Sequence, residues 1–232
     1  MILADKDIKE AVEKGEIKIL NFDEKCLEPA TYDMRIGNQG ATTTSRGIVN
    51  IAEKGVMIIE PGDQGVVITH ESLEFPANYA GRFGIRSYYT RKGLVGSTGP
   101  QIDPGYRGKL VINLINLSPK PITLSYQEPF CSVEIHKLAH PSEKPYSGPF
   151  QGQDGLRDKD LEMVIEGSGM AFSEVVKTLQ ALSRDVGSLS RDVGSLSSDM
   201  RAMKWILPVL MTILAVVFTL VFSLVNILIK SG

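Results

Sequence analysis

Two cysteines in 232 residues, Cys26 and Cys131, are too few for a disulfide framework, and neither has a second ligand at metal spacing. A reducing compartment is the expectation. The chain also lacks a basic run: 25 Lys and Arg stand against 27 Asp and Glu, a formal net charge of -2, so a nucleic-acid backbone is not the expected partner. The opening MILADKDIKEAVEKGE is charged within its first turn and has no apolar stretch, so a secretory leader is not expected. Helix-length segments are missing between the β-rich runs, which disfavours a parallel α/β fold.

With 43% hydrophobic and 22% charged residues, the chain suffices for one sizeable core plus an appendage. A short amphipathic helix is expected first, with Asp5 as its cap, Ile8 and Val12 as its apolar stripe and Gly15 past its end. The runs GVMIIEPGDQGVVITH, YAGRFGIRS, GKLVINLINLSPKPITLSY and FCSVEIHKL follow, β-branched and punctuated by Pro-Gly, Gly-Asp and Ser-Pro turns. That spacing predicts a mainly β domain over residues 1–140, a sandwich or barrel. Residues 141–170 are rich in Pro and Gly and read either as a linker or as an arm that orders over a ligand.

Beyond them a seven-residue repeat, LSRDVGS, opens a third region. Val175, Leu179, Leu182, Val186, Leu189, Val193, Leu196, Met200 and Met203 alternate spacings of four and three, so residues 171–204 read as a coiled-coil stalk and the chain is expected to self-associate. A flexible repetitive linker is the alternative. Gly187 and Gly194 fall on the outer face, each costing roughly 1 kcal/mol of helix propensity. The uncharged run from Trp205 to Ile229 predicts a C-terminal transmembrane anchor over residues 205–229, with Pro208 in its first turn, the lipid bilayer as a partner, and the globular domain on the cytoplasmic side.

Candidate chemistry gathers in the β region. Arg86, Ser87 and Arg91, with the Gly96-Ser97-Thr98-Gly99 loop, offer donors and close backbone approach to phosphate oxygens, although arginines beside strand-end glycines also serve as solvated edge residues. The corner IDPGYRG supplies Asp103 and Tyr106, and Asn113 follows on the next strand.

From MILADKDIKEAVEKGEIKI through LEPATYDMRIG, RSYYTRKGL, QIDPGYRGKLVINLIN and PYSGPFQGQDG, the chain resembles the dCTP deaminase branch of the trimeric dUTPase-like superfamily over about residues 1–156. The resemblance implies a distorted β jelly roll, a homotrimer with sites between subunits, and a C-terminal arm closing over a pyrimidine nucleotide, dCTP or dUTP. It also implies no catalytic zinc, in keeping with the lack of a His-x-Glu plus Cys-x-x-Cys pattern, and magnesium held only through the triphosphate. The nucleotide-binding positions carried over are Arg86, Ser87, Arg91, Thr98, Gly99, Asp103, Tyr106, Asn113, Tyr146, Phe150 and Gln153, with Asp103, Asn113, Ser87 and Arg91 as the catalytic set.

One of these departs from the family. The family's proton-transferring glutamate lies ten residues after the aspartate of the I-D-P-G turn, and that position here is Asn113. An amide can hold a pyrimidine edge but accepts no proton near neutral pH, and loss of a general base removes roughly two to four orders of magnitude in rate. Tyr88 in place of a small residue, and Pro149 where an arm lysine is expected, depart as well. dUTPases, by comparison, position water with the aspartate of a similar I-D-x-x-Y-x-G motif and need no such glutamate; Asp103 and Tyr106 fit that motif, and a turn-capping aspartate is the alternative. Three classes follow: an enzyme processing dCTP or dUTP, an inactive nucleotide sensor, or a trimeric scaffold.

Overall fold

The computed structural model describes residues 1–45, 47–166 and 172–231. Helix α1 (Asp5–Glu13) buries Ile8 and Ala11 and packs Val12 beside them. Asp5 is not its cap: Ala4 holds that position, and its N–H donates to Asp7 Oδ2 at 3.1 Å, so the acidic side chain that satisfies the helix start lies inside the first turn. Gly15 follows the last turn with φ 70°.

Twelve strands then form a mainly β unit, as the turn spacing predicts: β1 (Lys18–Leu20), β2 (Leu27–Glu28), β3 (Thr31–Thr42), β4 (Val49–Asn50), β5 (Val56–Ile59), β6 (Gln64–Glu74), β7 (Tyr79–Ile85), β8 (Leu94–Gly96), β9 (Gln101–Ile102), β10 (Arg107–Asn116), β11 (Ile122–Ser125) and β12 (Pro129–Lys137). The short helices α2 (Ile51–Lys54) and α3 (Ser87–Thr90) interrupt them. Ten strands share one sheet with the path β8-β10-β6-β3-β12-β7-β9, and β5 pairs with β11. Neighbouring strands along this path pair antiparallel, an arrangement that short turns can connect without crossover helices.

β10 alternates strictly. Leu110, Ile112 and Leu114 enter the main core with Tyr32, Met34, Ile36 and Val133, while Lys109, Val111 and Asn113 occupy the other face. Val111 there joins a second apolar cluster with Ala41, Val66 and Ile68, covered by Leu156 and by Leu161 of α4 (Asp158–Glu166). The segment expected as linker or arm therefore contributes to a core of the same compact unit, Met1–Val176.

The second unit, Lys177–Gly232, is built on α5 (Phe172–Ser231). Two expectations are corrected here. Pro208 lies inside this helix rather than in a first turn. Among the described residues no helix is long and apolar enough to cross a membrane. The side chains described in the apolar run are those of residues 206–219, a length that reaches about 20 Å at ~1.5 Å per residue against the ~30 Å of a hydrocarbon core; Trp205 and the run beyond Thr219 lie outside the described side chains. The transmembrane anchor, the bilayer partner and the cytoplasmic placement that rested on it are overturned. Of the heptad positions, Val175 also lies outside the described side chains.

Candidate functional site

The corner IDPGYRG and the later segment PYSGPFQGQ, far apart in sequence, run side by side. Tyr146 N–H donates to Pro104 O at 2.7 Å, Gln151 Nε2 to Gly105 O at 2.9 Å, Gly152 N–H to Arg107 O at 2.8 Å and Lys109 N–H to Gln153 O at 2.7 Å. Two glycines make this approach possible. A Cβ on Gly105 (φ +85°) would lie 2.6 Å from Pro145 Cβ, and one on Gly108 (φ +135°) would lie 2.7 Å from Gln153 N.

Between corner, segment and β10 lies a cavity of about 340 Å³. Eight of the carried-over residues line it: Thr98, Gly99, Asp103, Tyr106, Asn113, Tyr146, Phe150 and Gln153. Tyr106 is buried, its ring centroid 5.7 Å from that of Tyr146, and its hydroxyl donates to Lys109 O at 2.6 Å. Burial first, and then Tyr146, push its phenol well above the usual range, so it stays a neutral wall. The Tyr146 hydroxyl accepts from Phe150 N–H at 3.2 Å, which fixes the turn carrying the half-exposed Phe150. Asp103 is exposed, and its main-chain oxygen accepts from Tyr106 N–H at 3.1 Å, closing the turn.

Asn113 is held by its backbone. Its N–H donates to Thr98 Oγ1 at 2.7 Å and its carbonyl accepts from Ser97 N–H at 2.9 Å, so the loop before Asp103 is laced to the strand opposite. The amide side chain is left to face the cavity it lines.

Arg86, Ser87 and Arg91 do not line this cavity. Arg86 Nε pairs with the buried carboxylate of Asp33 at 2.9 Å, Ser132 Oγ donates to the other Asp33 oxygen at 2.5 Å, and Arg86 Nη1 reaches Pro129 O at 3.3 Å. Its guanidinium is thereby fixed at the start of α3, with Ser87 one residue on. Tyr88 is exposed under Lys92 Nζ, which lies 3.8 Å from the ring centroid. In one chain, then, the donor cluster and the cavity are separate places.

Of the six lining residues that sequence reasoning did not pick out, one is ionisable. Asp160, in α4, is 6% exposed and lines the cavity. Its Oδ2 accepts from Arg157 N–H at 2.9 Å and from Gln153 Nε2 at 3.0 Å. The second Gln153 amide hydrogen goes to Gly155 O at 2.7 Å, which leaves Gln153 Oε1 buried without a partner among the described residues. Nothing in the charged run RDKD sets Asp160 apart, because only docking of α4 on the sheet carries it to the wall. Cys26 and Cys131 are free and buried. Among the described residues no group of three or more His, Cys, Asp or Glu is arranged to hold a metal ion.

A family model described as dCTP deaminase-like matches residues 2–138. A dCTP deaminase of Thermococcus sibiricus is 35% identical over 157 residues, covering 68% of this chain and 96% of its own length. A dCTP deaminase, dUMP-forming, of Aquifex aeolicus is 30% identical over 173 residues, covering 70% of this chain and 96% of its own length. In fold, the chain is similar to a 2'-deoxycytidine 5'-triphosphate deaminase from Agrobacterium tumefaciens, at TM-score 0.50 and 20% identity over 60% of this chain and 49% of that one. The family match covers the twelve strands, with the corner and the Asn113 strand inside it, while Tyr146, Phe150, Gln153 and Asp160 of the cavity wall follow its last residue: this chain belongs to the dCTP deaminase-like family.

Proposed function

We propose that the cavity binds a pyrimidine deoxynucleoside triphosphate and that the chain hydrolyses it, as a homotrimer whose neighbouring copy supplies Arg86, Ser87 and Arg91 to the phosphates. The observation that carries this reading is the convergence of eight carried-over residues on one cavity, while the donor cluster lies outside it in the same chain. A triphosphate needs both, and a second copy brings them together. The magnesium complex of the triphosphate is the substrate form on this reading.

On this reading the step is at phosphorus. Asp103 is exposed at the cavity wall beside Tyr106. It orients a water and takes its proton as the oxygen bonds to the α-phosphorus; the bond to the bridging oxygen breaks and pyrophosphate leaves, giving dUMP from dUTP. Asn113 holds the base edge through its amide, a role that needs no proton transfer.

A second reading, deamination of dCTP, is favoured by Asp160. Asn113 cannot serve as proton acceptor, but Asp160 is a carboxylate in the same cavity. It takes a water proton as hydroxide adds to C4 and gives that proton to N3; it then passes the hydroxyl proton to the amine, which leaves as ammonia while the C4 carbonyl forms.

The test is to incubate the full chain with dCTP, and separately with dUTP and magnesium, following dUTP, dUMP and ammonia. Formation of dUMP from dUTP, lost in Asp103→Ala, is the expected outcome. Ammonia from dCTP, lost in Asp160→Asn with binding kept, selects the second reading. If neither nucleotide binds in a titration, the proposal fails.

A further inference from the structure

We infer that α5 is a self-association helix, packing parallel and in register against other copies of this chain through the stripe from Leu179 to Met203. The helix is continuous across the whole repeat. Along it Leu179, Leu182, Val186, Leu189, Val193, Leu196, Met200 and Met203 are 57–66% exposed, a row of large apolar side chains left in water. Their spacing of three and four is the period of a two-sided knob-and-hole seam, with Leu179, Val186, Val193 and Met200 at one set of positions and Leu182, Leu189, Leu196 and Met203 at the other.

The residues flanking the stripe choose both partner and direction. Asp185 and Asp192 precede the first set, and Ser190 and Ser197 follow the second. In a parallel pair, the residue before one seam position faces the partner residue five places further on, so Asp185 meets Ser190 and Asp192 meets Ser197 across the seam. A hydroxyl there donates to a carboxylate. Antiparallel pairing places aspartate against aspartate and serine against serine, with like charges along one edge. Arg184 and Arg191 lie on the outer face, and Arg191 Nε donates to Gly187 O of its own helix at 3.2 Å, so the arginines do not relieve that clash.

The occupant is another copy because the repeat is its own complement. Each LSRDVGS unit offers the seam that an identical unit fills, while Met200 and Met203 end the identity of the repeats and penalise a slip by seven residues. Gly187 and Gly194 point the same way. Nothing lies within 4 Å of a Cβ built on either, so no close packing requires them, and they weaken the isolated helix. Association then supplies the stability that local propensity does not.

The test uses full chains carrying Leu182→Cys or Met200→Cys, since native Cys26 and Cys131 are buried. Under mild oxidation each variant is expected to form a disulfide with itself. Cross-links only between Leu182→Cys and Met200→Cys chains, when mixed, mean antiparallel pairing and overturn the inference, as does a monomeric mass without cross-links. Adding Leu189→Asp and Val193→Asp is expected to abolish the disulfide even where the mass stays oligomeric through the β unit; persistence of the disulfide overturns the stripe. Ser190→Lys with Ser197→Lys sets lysine against aspartate in the parallel arrangement and is expected to tighten association at least tenfold at low salt, whereas weakening overturns the direction.

Discussion

Gly108 and Gln153 form a parallel bridge in which a Cβ on the glycine would lie 2.7 Å from Gln153 N and 2.8 Å from Gln153 O. The segment that walls the cavity is thus held by backbone contact at a position where only hydrogen fits.

Gly108→Ala tests this. The side chain meets both a φ of +135° and the opposing backbone, a strain of about 1–3 kcal/mol that displacement of the segment relieves. Nucleotide affinity is expected to fall at least tenfold, with faster proteolysis near residue 150, while the fold persists by circular dichroism.

Asp33 anchors Arg86 from beneath. Asp33→Asn keeps a hydrogen-bonding side chain but removes the ion pair with Arg86 Nε, so the guanidinium loses its fixed direction. Triphosphate binding is expected to weaken about tenfold, with binding of the nucleoside nearly unchanged; equal loss for both ligands would place the effect on the fold instead.

Asn113→Glu places a carboxylate where the resemblance to the deaminases implies one. Release of ammonia from dCTP is expected to rise by about 10²-fold or more, the usual scale for a general base. No change, with dCTP still bound, would mean that other parts of the deamination site are also lost.

His70 sets a pH dependence. Burial, then the positive charges of Arg35 and Lys109, hold its imidazole below the ordinary 6.5. The unfolded chain therefore takes up the proton first, so stability is full above about pH 7 and falls as the pH drops through 6.5 toward the depressed value. His70→Gln is expected to flatten the slope of melting temperature between pH 7 and 5.5.

Gly187→Ala and Gly194→Ala meet no neighbour within 4 Å. Each is expected to stabilise α5 by about 1 kcal/mol, visible as greater helical signal on dilution and a later helical melting transition.

The class of fold was legible in the chain because turn residues and β-branched runs are local signals, and the motifs of residues 2–138 name a family without reference to contacts. The site was legible in part. Asp103, Tyr106 and Asn113 could be picked out because the corner and the strand after it resemble a family's motifs, and the alternation of β10 put Asn113 on the face away from Ile112 and Leu114. Other features depended on long-range contact: Gly108 is decided by Gln153, Arg86 by Asp33, and Asp160 by the docking of α4 over Val111. The apolar run after residue 204 misled for a related reason, since composition states hydrophobicity but not where a helix begins, and Pro208 is interior to a helix that starts at Phe172. What the sequence alone determined here is the β pattern, the family and an amide rather than a carboxylate at 113. Only the tertiary structure decided which side chains share the cavity, because side chains meet through register and burial across the sheet, which residue order along the chain does not encode locally.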